Sequence, residues 1–323
     1  MAVNEQNVMT SHNLLNYSGM LFRKGDTSTP FSTLIGGKSR SVNHWAFVTS
    51  LAYESKGGDT QPEISETQSL TAPNPDFTAR EQASNVCQIF QEALAISYGK
   101  LSSMGQLSGL NIAGQQANPA TELDFQVART MEKIRKNIEY TFINGVYQNG
   151  SYDGVAYKTR GILNAITSNA EAGEGAKLDY WTVAEALTKF KKNGLIADGV
   201  VLMAPGIHIM QINADATKNK LTIVPASREA NGIKISELIT PAGTVGLMEN
   251  NYIPDGTVTF VNPSVCAPVY MPVPDKGNFF LEPLAKVGAA DKYQIYGQCG
   301  LDYGAEWLHG KITGLDTTFT KPE

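Results

Sequence analysis

Several features are missing from this 323-residue sequence, and each absence excludes something. No stretch of about 18 consecutive apolar residues occurs, so no membrane-spanning helix is expected. Cysteine is scarce: Cys87, Cys266 and Cys299 lie far apart without a C-x-x-C pair, which argues against a disulfide framework or a zinc site and for buried, reduced thiols. Neither sign of charge dominates. The 26 basic and 31 acidic side chains leave a net charge of −5, too acidic for a dedicated nucleic-acid binder, although a modestly acidic wall around DNA stays compatible. Residues Met1 to Thr10 have neither the basic start nor the apolar stretch of a secretory signal, so the expected setting is a cytoplasm. No repeat of 20 to 50 residues is present, which excludes a solenoid or propeller.

Motifs for chemistry are also missing. Gly36-Gly37-Lys38-Ser39 has the tail of a phosphate loop, but Ser32 stands where the first glycine belongs and no apolar strand precedes it. Asn213-Ala214-Asp215-Ala216-Thr217 starts like a calcium loop, yet Lys218 and Val224 occupy the glycine and closing glutamate positions. His12, His44, His208 and His309 share no metal-ligand spacing, and no G-x-S-x-G elbow occurs. Glu282 and Glu306 are a carboxylate pair that only the fold can bring together. Lys189, Lys191 and Lys192 read as solvated helix surface. No catalytic residue, metal ligand or cofactor site is therefore expected.

What is present is organisation. Residues 1–40 are polar with isolated apolar residues, among them Leu14, Leu15, Leu21 and Phe22, and read as an extended arm. Trp45, Phe47, Thr49, Leu51 and Tyr53 share one parity, the mark of a strand with one covered face. It leads into Lys56-Gly57-Gly58 and a polar stretch to residue 78, with Pro62, Pro73 and Pro75 and few large apolar residues beyond Ile64, Leu70 and Phe77. Residues 41–97 thus read as a long hairpin whose return limb is residues 79–97. Asn118-Pro119 opens a helix that Asn144-Gly145 closes; Leu123, Val127, Met131, Ile134, Ile138 and Phe142 recur every three or four residues along it. Its other face carries Arg129, Glu132, Lys133, Lys136 and Glu139. A second helix is expected over 179–193 with Trp181, Ala184, Leu187 and Phe190 as its apolar side, then a strand at 200–203, a short helix after Pro205, and strands at 221–224, 233–239, 245–248, 258–261, 279–287, 292–296 and 305–312. The fold class is α+β. A core without a visible active site, joined to a polar arm and hairpin, points to work done through contact with other chains.

Local patterns add a resemblance. Thr29-Pro30-Phe31 followed by Asn43-His44-Trp45, Gln88-Ile89-Phe90-Gln91, Thr159-Arg160-Gly161-Ile162-Leu163, and the C-terminal segments LEPLAKVG, QIYGQCGLDYG and WLHGKITGL together resemble tailed-bacteriophage major capsid proteins with the Hong Kong 97-like fold. The similarity covers about residues 29–315. It implies a shell subunit with an N-terminal arm (1–40), an extended loop (41–97), a peripheral domain at 98–159 holding a spine helix at 119–144, an axial domain at 160–265 and closing strands at 266–323. It also implies hexamers and pentamers around double-stranded DNA in a virion assembled in a bacterial cytoplasm, with scaffolding, portal and decoration proteins as further partners. Some relatives crosslink an extended-loop lysine to a neighbour's asparagine; Lys56 is the lysine in that place, but nothing marks its partner. The arm here begins only some tens of residues before the hairpin, so scaffolding is expected as a separate protein. Subunit-contact candidates are Leu14, Leu21, Phe22, Lys56, Gly57, Gly58, Ile64 and Leu70. Two other readings stay open: an encapsulin-like compartment shell, and a cytoplasmic hydrolase whose site carries no motif.

Overall fold

A computed structural model of the chain describes residues 28–53, 61–74, 77, 80–98, 122–151, 154–218, 223–230 and 233–319. The described chain begins with a short helix, Pro30–Ile35 (α1), and a strand, Arg40–Ser41 (β1). Residues 28–40, expected as part of an extended arm, therefore hold a helix, and all six of its residues are buried. Proline at its first position fixes φ where an N–H would have no helical partner. Ala46–Tyr53 (β2) and Arg80–Val86 (β3) flank a one-turn helix, Glu66–Ser69 (α2). The expected return limb is two strands rather than one: the chain breaks at Cys87 and continues as Gln88–Ser97 (β4), which joins a different sheet.

The long helix spans Glu122–Asn144 (α3), about 34 Å at 1.5 Å per residue. Its expected start at Asn118-Pro119 lies outside the described residues. Ile162–Ala165 (α4), Ala170–Ala172 (β5) and Tyr180–Lys192 (α5) follow. Asp179 caps α5, its carboxylate accepting from the Thr182 amide at 2.7 Å. Val201–Ala204 (β6) leads through Pro205 into Gly206–Lys218 (α6), thirteen residues where only a short helix was expected. Strands Ile223–Ala230 (β7), Ile233–Thr240 (β8), Gly243–Glu249 (β9), Thr257–Val261 (β10), Ala267–Tyr270 (β11), Phe279–Pro283 (β12), Ala290–Asp302 (β13) and Gly310–Thr313 (β14) complete the chain. The strand expected over 305–312 is mostly not one: Glu306–Leu308 is a 3-10 turn, and pairing starts only at Gly310.

Among the described residues these strands form three sheets. One has seven strands in the order β5-β14-β10-β6-β9-β8-β7. A second runs β1-β11-β13-β12, with β4 also paired to β13 over ten register pairs, from Ala290↔Ser97 to Cys299↔Gln88. The third is the β2–β3 hairpin alone.

Side-chain alternation explains how the layers join. All four residues of β6 are buried because helices cover one face of its sheet and the spine helix region covers the other. Leu202 and Ala204 pack with Val183, Leu187 and Phe190 of α5 and Ile212 of α6. Val201 and Met203 point the opposite way, into a core shared with Met131, Ile134, Ile138 and Phe142 of α3 and Phe90, Leu94 and Ile96 of β4. Burying a side chain such as Leu187 fully contributes roughly 1.5–3 kcal/mol. Trp181 departs from expectation. It leaves the apolar side of α5 and stays 67% exposed.

Candidate assembly surface

The hairpin rises from a well-anchored root. Trp45 stacks on Tyr157 with ring centroids 4.6 Å apart, and Phe47 is buried. Asn85, fully buried, spends its amide in both directions: Nδ2 donates to the carbonyls of Leu301 (2.8 Å) and Arg160 (3.1 Å), while Oδ1 accepts from the amides of Arg160 (2.8 Å) and Val86 (2.9 Å). The Arg160 guanidinium lies 4.8 Å from the centroid of the Tyr147 ring. The turn carrying Arg160 presses on the end of α3 so closely that a Cβ on Gly161 would fall 2.6 Å from the Gly145 amide nitrogen. Only glycine fits there.

Away from that root, the described residues 61–74 and 77 are exposed. Ser65 and Gln68 close a capping box around α2, each accepting from the other's backbone amide. Ile64 (71% exposed), Leu70 (83%) and Phe77 (83%) stand in solvent. Lys56, Gly57 and Gly58 lie outside the described residues, as do Leu14, Leu21 and Phe22 of the arm.

A second anchor joins α1 to the body. The Glu139 carboxylate accepts from the Phe31 amide (2.8 Å), the Ser32 amide (2.7 Å), the Ser32 hydroxyl (2.5 Å) and the Asn250 side-chain amide (2.7 Å). Expected on the polar face of the spine helix, Glu139 is instead fully buried, because those donors replace its lost water. Burial pushes its pKa above the usual carboxylate range, and the hydrogen bonds from Ser32, Phe31 and Asn250 oppose that shift. Arg129, Glu132 and Lys136 do form the expected exposed network: Glu132 receives Arg129 at 2.8 Å and Lys136 at 2.9 Å. The apolar side of the same helix holds Val127, Met131, Ile134, Ile138 and Phe142 buried, with Leu123 half-buried at its start.

The polar groups that resemble chemistry have structural partners. His309 accepts from the Asn262 amide through Nδ1 (3.2 Å) while Nε2 faces the Tyr303 carbonyl at 2.6 Å, which fixes a neutral imidazole with its proton on Nε2. Burial pushes its pKa down to about 4. His208 sits between Gln211 Oε1 (2.8 Å) and the Gly256 amide (3.2 Å). Glu306 accepts from the Thr167 and Ser168 amides; burial works against its charge, but these bonds outweigh it and hold the carboxyl below its ordinary pKa. Glu282 pairs with Lys276 and receives Gln294, so the two glutamates serve separate partners. All three cysteines are buried, and burial raises the Cys87 thiol to about 12. Among the described residues no group of His, Cys, Asp and Glu is arranged to hold a metal, and no helix is long and apolar enough to cross a membrane. A cleft of about 560 Å³ beside α1 is lined by Ser28, Pro30, Ile233, Leu247, Glu249 and Tyr252 among others.

The sequence matches the family described as SU10 major capsid protein over residues 4–316. The chain belongs to that family. This capsid protein also shares its fold with solved shells of very different sequence. The holo-SrpI encapsulin complex from Synechococcus elongatus PCC 7942 aligns with a TM-score of 0.62 at 13% identity, covering 92% of this chain and 91% of that one. The capsid of cyanophage A-1(L) gives 0.60 at 11% identity, over 90% and 94% of the two chains. The capsid of Myoviridae phage XM1 gives 0.52 at 14% identity, over 88% and 92%. Identities this low carry the Hong Kong 97-like fold, and the family match carries the role. Comparison with curated protein sequences gives no match. As a major capsid protein the subunit has its place in the virion.

Sequence reasoning missed three anchoring residues of the capsid protein: Asn85, Glu139 and Asn250. Each is a single polar residue among ordinary neighbours, and its partners lie far away in the chain. Nothing short of the fold marks them.

Proposed function

We propose that this capsid protein assembles with copies of itself into hexamers and pentamers of an icosahedral shell around double-stranded DNA, and that it does so without catalysing a reaction. The reading takes 1–40 as an arm, 41–97 as an extended loop, 98–159 with 266–323 as a peripheral domain, and 160–265 as an axial domain. Leu14, Leu21 and Phe22 of the arm and Lys56, Gly57, Gly58, Ile64 and Leu70 of the loop are the proposed contacts with neighbouring subunits. Assembly takes place in the host bacterial cytoplasm, with separate scaffolding and portal proteins and, on the outer surface, decoration proteins.

One observation carries the loop's part in this. A chain of a capsid family holds Ile64, Leu70 and Phe77 in solvent on a hairpin that forms no core of its own. A two-stranded hairpin is marginal in water, so one that projects apolar side chains gains by covering them with a neighbour. Replacing residues 56–74 with an Asn-Gly turn is expected to leave a folded, cooperatively melting monomer that no longer forms shells in negative-stain micrographs. Intact shells of normal size from that variant would overturn the assembly role.

A second reading, a compartment shell enclosing protein, has support from the TM-score of 0.62 with an encapsulin. Purified particles distinguish the two: nuclease-protected DNA inside belongs to a phage head, and enclosed enzyme without DNA to a compartment.

A further inference from the structure

Helix α1 is built in a way that makes it depend on the spine helix. It has only six residues, too few to be stable in water on its own. Its first four amides need partners outside the helix. Pro30 removes one of these donors, and the residue in the capping position, Thr29, makes no side-chain capping bond. The next two amides, of Phe31 and Ser32, are both taken by the Glu139 carboxylate at 2.8 and 2.7 Å. An N-cap is ordinarily the residue just before the helix. Here it comes from 108 and 107 residues further along the chain.

The same carboxylate is held on its other side by the Asn250 amide at 2.7 Å, and Asn250 in turn accepts from the Tyr252 amide at 2.9 Å. One buried group therefore ties together α1, the C-terminal third of α3 and the loop after β9. Apolar packing adds to the tie, since Phe31, Leu34 and Ile35 share the core that contains Met131, Ile134 and Ile138. Packing of this kind tolerates small rotations, whereas two amides and a hydroxyl meeting one carboxylate do not.

We propose that Glu139 is a positioning residue for assembly: its buried carboxylate clamps the first turn of α1 and so fixes the place at which residues 1–27 are joined to the described body. Residues 1–27 are covalently continuous with α1, and Leu14, Leu21 and Phe22 within them are the arm's proposed contacts. The inference rests on the reading of that arm as an assembly element. A loosely docked α1 would leave that junction free to shift, and with it the arm's proposed contacts.

The test is Glu139→Gln in the full chain, with two separate measurements. On unassembled protein, limited proteolysis is expected to cut the variant within residues 28–40 at least tenfold faster than the parent, while the rest of the chain stays resistant and melts cooperatively. In the assembly assay, yield of closed shells is expected to fall at least tenfold, with open or irregular particles in their place. A variant whose α1 stays as protected as in the parent overturns the clamp, and so does one that is cut readily yet closes normal shells. The proteolysis does not depend on shell formation, so failure of the parent chain to assemble would count against the arm reading and leave the clamp measurable. If Glu139→Gln does not fold, Ser32→Ala decides: it removes one of the four bonds and should raise cleavage and lower closure to a smaller degree. No change in either for Ser32→Ala would overturn the proposal.

Discussion

The seven-stranded sheet and the β2–β3 hairpin use similar residues to opposite ends. In the sheet, β6 is covered on both faces, and the carbonyls, imidazoles and carboxylates around it have assigned partners within the chain. Among the described residues of the hairpin, the two strands pair only with each other, and Ile64, Leu70 and Phe77 stay in solvent. The difference shows that apolar content alone does not mark a core. What matters is whether a second layer of the same chain is placed to cover it.

Damaging the covered region should have the largest effect. Ile134→Asp puts an unpaired carboxylate into the core shared by α3 and β4, at a cost of about 3–5 kcal/mol against a typical total of about 5–15 kcal/mol. Insoluble chain, or a lost cooperative melt by circular dichroism, is the expected outcome, and a normal melt would mean that the site is not closed to water.

A smaller and pH-dependent effect is expected at His309. The unfolded chain takes up a proton near the ordinary pKa of 6.5, whereas the folded chain resists until about 4. Unfolding therefore gains a proton between these values, and stability falls as pH drops from about 6.5 to 4, by about 3 kcal/mol in all. His309→Gln keeps a donor and an acceptor but cannot take the proton. Denaturant titrations across this range should show a flatter pH dependence for the variant, and parallel slopes would refute the assignment.

The smallest effect on stability belongs to the hairpin. Leu70→Ser and Phe77→Ser should change the unfolding free energy by no more than about 0.5 kcal/mol, because these side chains are exposed before and after unfolding. Their effect should appear only in assembly, as a raised protein concentration for shell formation in light scattering. A loss of several kcal/mol in the monomer would show that the hairpin is part of the core after all.

Much of the fold was readable where one local rule governs. Helix α5 carries its cap at Asp179 and its apolar spacing in one continuous stretch, so its ends were placed to within a residue. Strand β13 was read as five residues but spans thirteen, because Gly297 and Gly300 look like interruptions. They are glycines because aromatic rings lie over them: a Cβ at 297 would fall 2.3 Å from the Phe279 ring, and one at 300 would come within 3.0 Å of Phe47. Strand β11 was not expected, since Pro268 argues against a strand interior. Trp181 followed the helical period of its neighbours and yet faces solvent, as spacing gives a face but not its cover. The helix at 30–35 was not legible in a stretch expected as an arm, and neither were the buried Asn85 amide and Glu139 carboxylate, because their partners are far apart in sequence.

The remote cap on α1 also has a consequence in time. Ser32 is made early, Glu139 follows 107 residues later, and Asn250 another 111 residues after that. At bacterial elongation rates of about 5–20 residues per second, the last of these groups emerges on the order of 10–40 s after Ser32. The first described helix to be synthesised is thus among the last elements to be completed. The cap on α1 therefore cannot close in a nascent chain until most of its body has been made, so α1 stays undocked through most of translation.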